Sequence, residues 1–314
     1  MLRALAETET MMPMPDWIAA DWGTTHLRVW TMDGQGRVLD RIRSDSGMGQ
    51  IGPDDYESTL LGLIGSSLPA ASRVPVICCG MAGARQGWVE APYRAVPCPP
   101  GTIADAARPS PGDPRLRVFI LPGLSQAGPA DVMRGEETQI AGYLAAHPGF
   151  DGVLCLPGTH SKWVHVSAGE VVSFRSFMTG EIFALLSRHS VLRHSVGSAG
   201  HDSGAFADAV AHAMSRPAAI ASDLFSLRAQ SLLTGLAPVV ARSRLSGLLI
   251  GIELAAARPY WLGQDVAIVA SDSPGDAYAE ALLAQGAAPH RADAEEMTLN
   301  GLRAAWTALR ATGG

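Results

Sequence analysis

Residues able to do chemistry cluster at two short turns that resemble each other. The first turn, Asp21-Trp22-Gly23-Thr24-Thr25, follows the apolar run 18–20. Backbone N–H groups in a tight glycine turn bind anions, hydroxyl groups add donors, and a carboxylate binds a divalent cation or its waters. This set suits a polyphosphate and its magnesium ion. Ordinary hairpin-turn chemistry is the alternative explanation for one such turn taken alone.

A second copy of the design favours the functional interpretation. Pro157-Gly158-Thr159-His160 follows the apolar run 152–156 and precedes an alternating run that begins near Lys162. Two Gly-Thr hairpins, one in each half, predict a duplicated fold whose halves face a shared cleft. Lys162 is the only lysine in the chain, and we expect a mobile point charge there that meets a phosphoryl oxygen.

A third cluster, Arg134 with Glu136 and Glu137, lies in the segment 131–146. We predict a helix over this segment with Asp131 as its N-cap. Adjacent carboxylates on a helix point about 100° apart, so one faces the site while the other pairs with Arg134. They would supply metal binding and a proton acceptor. A surface charge cluster is the alternative.

A glycine-rich turn, Gly80-Met81-Ala82-Gly83, ends the strand-like run 74–79. Open α/β sheets bind ligands at the carboxyl ends of their strands, so this turn is a candidate substrate site. Further side chains that could shape a small polar pocket are Arg85, Trp88, Tyr93 and Arg94. The alternative is that the glycines only turn the chain and Trp88 packs in the core.

The elements that must position these turns follow one order twice: three strands joined by hairpins, then alternating helices and strands. After a loose leader, 1–15, this order predicts an N-terminal domain 16–130 and a C-terminal domain 131–314. Residues 97–114 should be irregular. Gly247 and Gly251 permit close packing of a helix over 238–257. The turn 271–276 before a helix over 277–284 could hold a nucleoside or only cap that helix.

Composition excludes several classes of function. A chain of 314 residues with 47% hydrophobic residues can bury two cores, and its net charge of −6 argues against a nucleic-acid partner. The four cysteines lack metal-type spacing, which favours buried free thiols in a reducing compartment. No apolar stretch is long enough for a membrane span. We expect a cytoplasmic protein; the oligomeric state stays open, with a homodimer as one option.

Several strings of the sequence resemble 2-keto-3-deoxygalactonate kinases, a family of the actin/hexokinase/Hsp70 superfamily. The resemblance covers residue 17 to the C-terminus and rests on the following strings: Asp21-Trp22-Gly23-Thr24-Thr25, Gly80-Met81-Ala82-Gly83, Gly87-Trp88, Ala91-Pro92-Tyr93, Met133-Arg134-Gly135-Glu136-Glu137-Thr138-Gln139, Pro157-Gly158-Thr159-His160, Lys162-Trp163-Val164, Met178-Thr179-Gly180-Glu181 and Ser246-Gly247-Leu248-Leu249-Ile250-Gly251. It implies an α/β fold of two ribonuclease-H-like (actin-like ATPase) domains flanking an interdomain cleft.

The resemblance also implies an activity, the ATP-dependent phosphorylation of the terminal hydroxyl of 2-dehydro-3-deoxy-D-galactonate in galactonate breakdown. Cofactors would be ATP and Mg²⁺, and partners only the sugar acid and nucleotide. Asp21 and Glu136 would hold Mg²⁺, and Asp21, Glu136 or Glu137 would accept the hydroxyl proton. The expected phosphate and ATP contacts are Gly23, Thr24, Thr25, Gly158, Thr159, His160 and Lys162. The expected substrate contacts are Gly80, Met81, Gly83, Arg85, Trp88, Tyr93 and Arg134, with Arg134, Arg85 and Arg94 the candidates for its carboxylate in that order.

Two other functions stay open from the sequence. A phosphatase or ATPase of the same superfamily would use a helix carboxylate such as Glu136 to activate water. A nucleotide-binding regulator would bind Mg·ATP without turnover. The sequence also leaves the sugar epimer, the adenosine-binding residues and the nucleotide preference open.

Overall fold

The computed structural model describes residues 14–313, and these form two compact units. Within them, the first unit comprises residues 14–93, 101–123 and 302–313, and the second comprises residues 94–100 and 124–301. Most of the leader expected over 1–15 lies outside the described residues.

The strands are numbered along the chain as follows: β1 Trp17–Trp22, β2 Leu27–Met32, β3 Val38–Ser44, β4 Val74–Gly80, β5 Tyr93–Ala95, β6 Leu116–Ile120, β7 Gly123–Ala127, β8 Ala130–Met133, β9 Gly152–Leu156, β10 Ser161–Ser167, β11 Glu170–Phe177, β12 Val266–Ala270 and β13 His290–Asp293. The helices are α1 Tyr56–Ile64, α2 Glu136–Ala146, α3 Thr179–His189, α4 Ser203–Ser215, α5 Ile220–Thr234, α6 Pro238–Ala256, α7 Arg258–Trp261, α8 Asp272–Leu283 and α9 Ala294–Ala311.

Each unit is built on a five-stranded sheet of the same topology. The first sheet has the order β3-β2-β1-β4-β6 and the second the order β11-β10-β9-β12-β13. In both, the first three strands form an antiparallel meander, and the last two run parallel to the first. This repetition confirms the predicted duplication and the ribonuclease-H-like α/β fold.

The central strands are apolar because both faces of each sheet are covered. All six residues of β1 and all seven of β4 are buried, as expected for strands at the centre of a two-sided sheet. In the second unit, β9 and β12 are buried along their whole length. These rigid strands fix the positions of the turns that follow them.

Close packing of α4 on α6 depends on the two glycines that the sequence singled out. A Cβ on Gly247 would lie 2.5 Å from the carbonyl oxygen of Phe206, and one on Gly251 would lie 2.7 Å from that of Val210. Neither backbone contact leaves room for a side chain. The predicted helix packing is confirmed.

The segment 131–146 is not a single helix, so that prediction is wrong. Asp131 lies in β8 instead of capping a helix, and its carboxylate accepts hydrogen bonds from the Ser176 N–H (2.6 Å) and hydroxyl (2.7 Å). The helix begins at Glu136, with Gly135 as N-cap at φ +108°. Asp131 was a plausible cap from sequence alone, but it binds the N–H of edge strand β11 instead.

Two other local predictions need correction. The hairpin β7–β8, which joins β5 in a three-stranded sheet, was not predicted because its strands carry little apolar alternation. The segment 271–276 was predicted to be a polar turn before a helix. Most of it instead forms the first turn of α8, which begins at Asp272 and not at Ala277.

The predicted division between residues 130 and 131 also differs from the observed units. Residues 302–313 belong to the first unit because Trp306 stacks on Trp17, with ring centroids 5.2 Å apart, and Arg303 donates to the Gly36 carbonyl at 2.8 Å. Residues 94–100 belong to the second unit, where the Cys98 N–H donates to the Val171 carbonyl at 3.2 Å.

The four cysteines, Cys78, Cys79, Cys98 and Cys155, are buried and free of disulfides, as predicted. Among residues 14–313, no helix has the length and apolar character needed to cross a bilayer.

The crossing of α2 and α9 gives a stability prediction. A Cβ on Gly142 would lie 1.8 Å from the Met297 carbonyl oxygen, so Gly142→Ala forces the helices apart. We expect the free energy of unfolding to fall by about 2–3 kcal/mol, as measured by chemical denaturation. The control is Gly204→Ala in α4 of the same unit, where the nearest atom is an ordinary contact at 3.6 Å. Equal effects of the two substitutions would contradict the close-packing explanation.

Candidate functional site

Asp21 lies near the carboxyl end of β1, where two neighbouring strands hold its side chain. Asp21 is opposite Arg28 in the antiparallel ladder of β1 and β2, and the two side chains form an ion pair. On the other side, the Cys79 thiol of β4 donates to Asp21 Oδ1 at 3.6 Å. Asp21 is 9% exposed, so its carboxylate is oriented by the sheet and still reaches the surface.

The turn after β1 is bound from behind by a second segment. The carbonyls of Gly23, Thr24 and Thr25 accept hydrogen bonds from the N–H groups of residues 48, 49 and 47, at 3.0, 2.9 and 3.2 Å. Gly47 must be glycine, since a Cβ there would lie 2.3 Å from the Thr25 carbonyl carbon. Thr24 and Thr25 are exposed, whereas the Gly23 N–H donates to the His26 carbonyl at 2.9 Å.

The turn after β9 is also held by a second segment, through one of its carbonyls. The Thr159 carbonyl accepts a hydrogen bond from the Glu181 N–H at 2.9 Å. The neighbouring Gly180 approaches the Gly158 carbonyl oxygen so closely that a Cβ would lie 2.2 Å away. Gly158, Thr159 and His160 are exposed. The motif 178–181, at the start of α3, therefore braces the motif 157–160.

Three carbonyl oxygens are therefore occupied in the first turn and that of Thr159 in the second, while the tip residues of both turns are exposed. Exposed tips with occupied carbonyls make the backbone N–H groups candidate donors to an anion, as in an anion-binding nest. His160 adds a side chain at the second tip, with Nε2 2.6 Å from Glu181 Oε2.

Lys162 differs from the mobile charge that the sequence suggested. It lies on β10 with its side chain 5% exposed, and its Nζ is 3.7 Å from Glu136 Oε1. Glu136 also accepts a hydrogen bond from the Arg134 backbone N–H at 3.1 Å. Burial and this ion pair hold the ammonium group in place.

Glu136 and Glu137 take different directions, as expected for neighbours on a helix. Glu137 is fully buried, and its carboxylate accepts the Gly135 N–H at 2.7 Å at the N-terminus of α2. Burial, and then the charge of Glu136, raise the pKa of Glu137 to about 8. Glu137 is therefore placed as a neutral, interior group with no surface open to a substrate.

The glycine-rich turn after β4 lies beside Asp21. Gly80 has φ +83°, and a Cβ there would lie 2.6 Å from the Trp22 carbonyl oxygen and 3.5 Å from Asp21 Oδ1. Trp88 contacts Trp22 and Tyr56, with ring centroids 6.2 and 6.1 Å apart, so it helps to form the core behind the turn.

Other predicted substrate contacts are distributed more widely. Met81 and Gly83 form a short 3₁₀ turn after Gly80, while the side chains of Arg85 and Tyr93 are exposed. Arg94 donates to the Pro99 carbonyl at 3.1 Å. Arg134 is half-buried and, like Arg94, belongs to the second unit, whereas the other predicted substrate contacts belong to the first.

A cavity of about 730 Å³ adjoins the second turn, and its wall includes Gly158, Thr179, Gly180, Ser246 and Tyr278. The sequence predicted a phosphate site at the Gly158 turn. For the segment 271–276, which also lines the cavity, it left a nucleoside site and a simple helix cap open. No sequence pattern identified Tyr278, because its position depends on how α8 packs beside β12.

Within the described residues, no group of three or more His, Cys, Asp or Glu side chains could hold a metal ion. A magnesium ion that takes one or two carboxylates and fills its remaining positions with phosphate and water is compatible with that finding.

Comparison with known proteins gives a consistent result. The family model for 2-keto-3-deoxy-galactonokinase matches residues 21–305. A Rhizobium meliloti (strain 1021) protein named "Probable 2-dehydro-3-deoxygalactonokinase" is 43% identical, over 93% of this chain and 96% of that protein. The Escherichia coli (strain K12) 2-dehydro-3-deoxygalactonokinase is 34% identical, over 86% of this chain and 90% of that protein. A crystal structure of a candidate 2-dehydro-3-deoxygalactonokinase from Sinorhizobium meliloti superposes with a TM-score of 0.85, at 40% identity, over 93% of this chain and 99% of that one.

The raised pKa of Glu137 predicts a pH-dependent effect of Glu137→Gln. Between the ordinary value of 4.5 and about 8, the folded state keeps a proton that the unfolded state has lost. Stability therefore falls as pH rises through this window, and Gln removes that loss. Relative to the wild type, the free energy of unfolding of Glu137→Gln should rise by on the order of 2 kcal/mol between pH 5 and pH 7.5, as measured by chemical denaturation at each pH. A difference independent of pH would contradict the buried, protonated state.

Proposed function

This chain belongs to the 2-keto-3-deoxy-galactonokinase family, and from that premise we propose that it transfers a phosphoryl group from ATP to the terminal hydroxyl of 2-dehydro-3-deoxy-D-galactonate. The observation that carries the proposal is the repeated Gly-Thr turn, which is exposed at its tip and hydrogen-bonded to a second segment through one or more of its carbonyls. Phosphoryl transfer needs such positioned donors more than covalent chemistry. The reaction is a step of galactonate catabolism.

For ATP, we assign the cavity beside the second turn to the nucleoside and the turn itself to the phosphates. Its volume of about 730 Å³ is within the range of pockets for ligands of this size. At the second turn the phosphate donors in this proposal are the N–H groups of Gly158 and Thr159, the Thr159 hydroxyl, His160 and Lys162. At the first turn they are the N–H and hydroxyl groups of Thr24 and Thr25, while Gly23 shapes the turn, because its own N–H donates to the His26 carbonyl at 2.9 Å. Lys162 adds a fixed charge, because its ion pair with Glu136 holds it in place.

Asp21 is the residue best placed to hold Mg²⁺, and Glu136 is the second candidate. Each carboxylate has some exposed surface, and each is oriented by a cation, Arg28 for Asp21 and Lys162 for Glu136. When bound, the ion would neutralise charge on the phosphoryl oxygens.

Asp21 is also the best candidate to accept the proton of the substrate hydroxyl. Glu137 has no exposed surface in this structure, and Asp21 and Glu136 are each paired with a cation, so their position relative to the sugar-acid site decides between them. Asp21 lies beside the Gly80 turn, which we propose as the sugar-acid site with Met81 and Gly83. Trp88 supports this turn from the core. Arg85 is exposed on the same segment and could bind the substrate carboxylate in bidentate fashion; Tyr93 and Arg134 are further candidates.

Acceptor dependence tests the reaction itself. We expect rapid ADP release only when ATP and Mg²⁺ are mixed with 2-dehydro-3-deoxy-D-galactonate, with weaker responses across a panel of epimeric keto-deoxy acids. A phosphatase or ATPase would release ADP or phosphate without an acceptor. A nucleotide-binding regulator would bind Mg·ATP and release no ADP under either condition.

Asp21→Asn tests the proton acceptor. We expect kcat to fall by about 10³-fold, because the amide neither accepts the proton nor holds the metal well. The variant should remain folded, with an unfolding midpoint lowered only by the loss of the ion pair with Arg28. The exposed Asp54→Asn in the same unit is the control and should leave kcat unchanged. Substantial kinase activity in Asp21→Asn would rule out this role.

A further inference from the structure

Glu253, a carboxylate of α6 that no part of the mechanism above uses, is buried at the centre of a polar network. It is 1% exposed, and three side chains from different elements donate to it. Trp163 Nε1 of β10 donates at 2.8 Å, the Tyr278 hydroxyl of α8 donates at 2.7 Å, and the Thr179 hydroxyl of α3 donates to the same oxygen as Tyr278. The Ser161 hydroxyl lies 2.7 Å from the Tyr278 hydroxyl and extends the network.

Burying a carboxylate costs desolvation free energy, so the presence of Glu253 in the core requires an explanation. Desolvation raises the pKa of Glu253, while the hydrogen bonds from Thr179, Tyr278 and Trp163 lower it. An apolar residue at this site would leave those three donors without their acceptor. The network therefore fixes the orientation of all three donors together.

The three donors connect Glu253 to segments that form the candidate nucleotide site. Thr179 is the first residue of α3, whose next residues brace the Gly158–Thr159 turn through Gly180 and the Glu181 N–H. Tyr278 and Thr179 both line the 730 Å³ cavity. Trp163 follows Lys162 directly on β10.

We propose that Glu253 is a positioning residue that holds the start of α3, through Thr179, in the place where it braces the Gly158–Thr159 turn against nucleotide phosphates. The inference rests on the proposed function, because it takes the cavity and this turn as the ATP site. Glu253 itself contacts no substrate. Its effect passes through the Thr179 hydroxyl and the wall residue Tyr278.

The test measures the affinity of the whole protein for Mg·ATP by calorimetry without a sugar acid, so it does not depend on the correct acceptor. Thr179→Val keeps the shape and removes the donor, and we expect the Kd to rise about 10-fold. Thr179→Ser keeps the hydroxyl and should stay within about twofold of the wild type. Glu253→Gln replaces one acceptor oxygen with a donor and should weaken binding at least as much as Thr179→Val.

A double-mutant cycle separates positioning from direct contact. If Thr179 acts through Glu253, the double variant Thr179→Val with Glu253→Gln should have a Kd for Mg·ATP no higher than the higher Kd of the two single variants. Additive losses would overturn the proposal, since Thr179 would then contact the nucleotide independently. If Glu253→Gln does not fold, the same cycle is run with Tyr278→Phe, which removes another donor to the same carboxylate oxygen.

The matched control is Thr298→Val, another buried threonine of the second unit. Its hydroxyl donates to the Ala294 carbonyl at 2.8 Å, and it does not line the cavity. We expect this variant to lose stability without a change in Kd. A lower unfolding midpoint with an unchanged Kd in Thr179→Val would show a purely structural network and overturn the inference. A wild-type protein that binds no Mg·ATP would overturn the proposed nucleotide site itself.

Discussion

The candidate site depends on one constraint, which is that each of two exposed turns is held by a second segment that donates to its carbonyl oxygens, three in the first turn and that of Thr159 in the second. A turn whose carbonyls faced outward would repel an anion, whereas one whose carbonyls are occupied presents N–H groups. In the first unit the segment 47–49 supplies these donors, and in the second the start of α3 does. Both braces need a glycine at the point of contact, Gly47 and Gly180, because a Cβ would collide with the backbone of the turn. Each turn is thus held in shape by a paired segment, and the proposed anion sites depend on both partners.

Much of this could be predicted from the sequence, because local patterns determine it. Buried runs such as β1 and β4, the meanders, and the helices capped at Asp202 or begun at Pro238 each carry a local signal. The Gly-Thr turns were recognised because they occur twice. The hairpin β7–β8 was missed because polar residues such as Asp131 and Gln126 serve there to bind N–H groups of the edge strand β11. Such a role is visible only when the two strands are brought together.

The same reason explains what was wrong or absent at the site. Lys162 was expected to be mobile, but it is buried and paired with Glu136. Glu136 begins a helix whose predicted start was five residues too early. Glu253 and Tyr278 are 25 residues apart and meet only through the packing of α6, α8 and β10. Long-range contacts of buried polar groups leave no periodic signal in a sequence. Tertiary packing determines these contacts, and the contacts fix the positions of the motifs that the sequence reveals.

The duplicated hairpins also differ in a way that divides their roles. In both, the residue two positions before the Gly-Thr pair faces a cation across the ladder: Asp21 faces Arg28, and Leu156 faces Lys162. Since leucine cannot neutralise Lys162, that cation takes its carboxylate from Glu136 on α2. The first hairpin therefore keeps an acid on its own strand, paired with Arg28, whereas the second carries a buried cation paired with a helix carboxylate. This difference supports the proposal that the first hairpin serves proton transfer and metal binding and that the second serves the nucleotide phosphates.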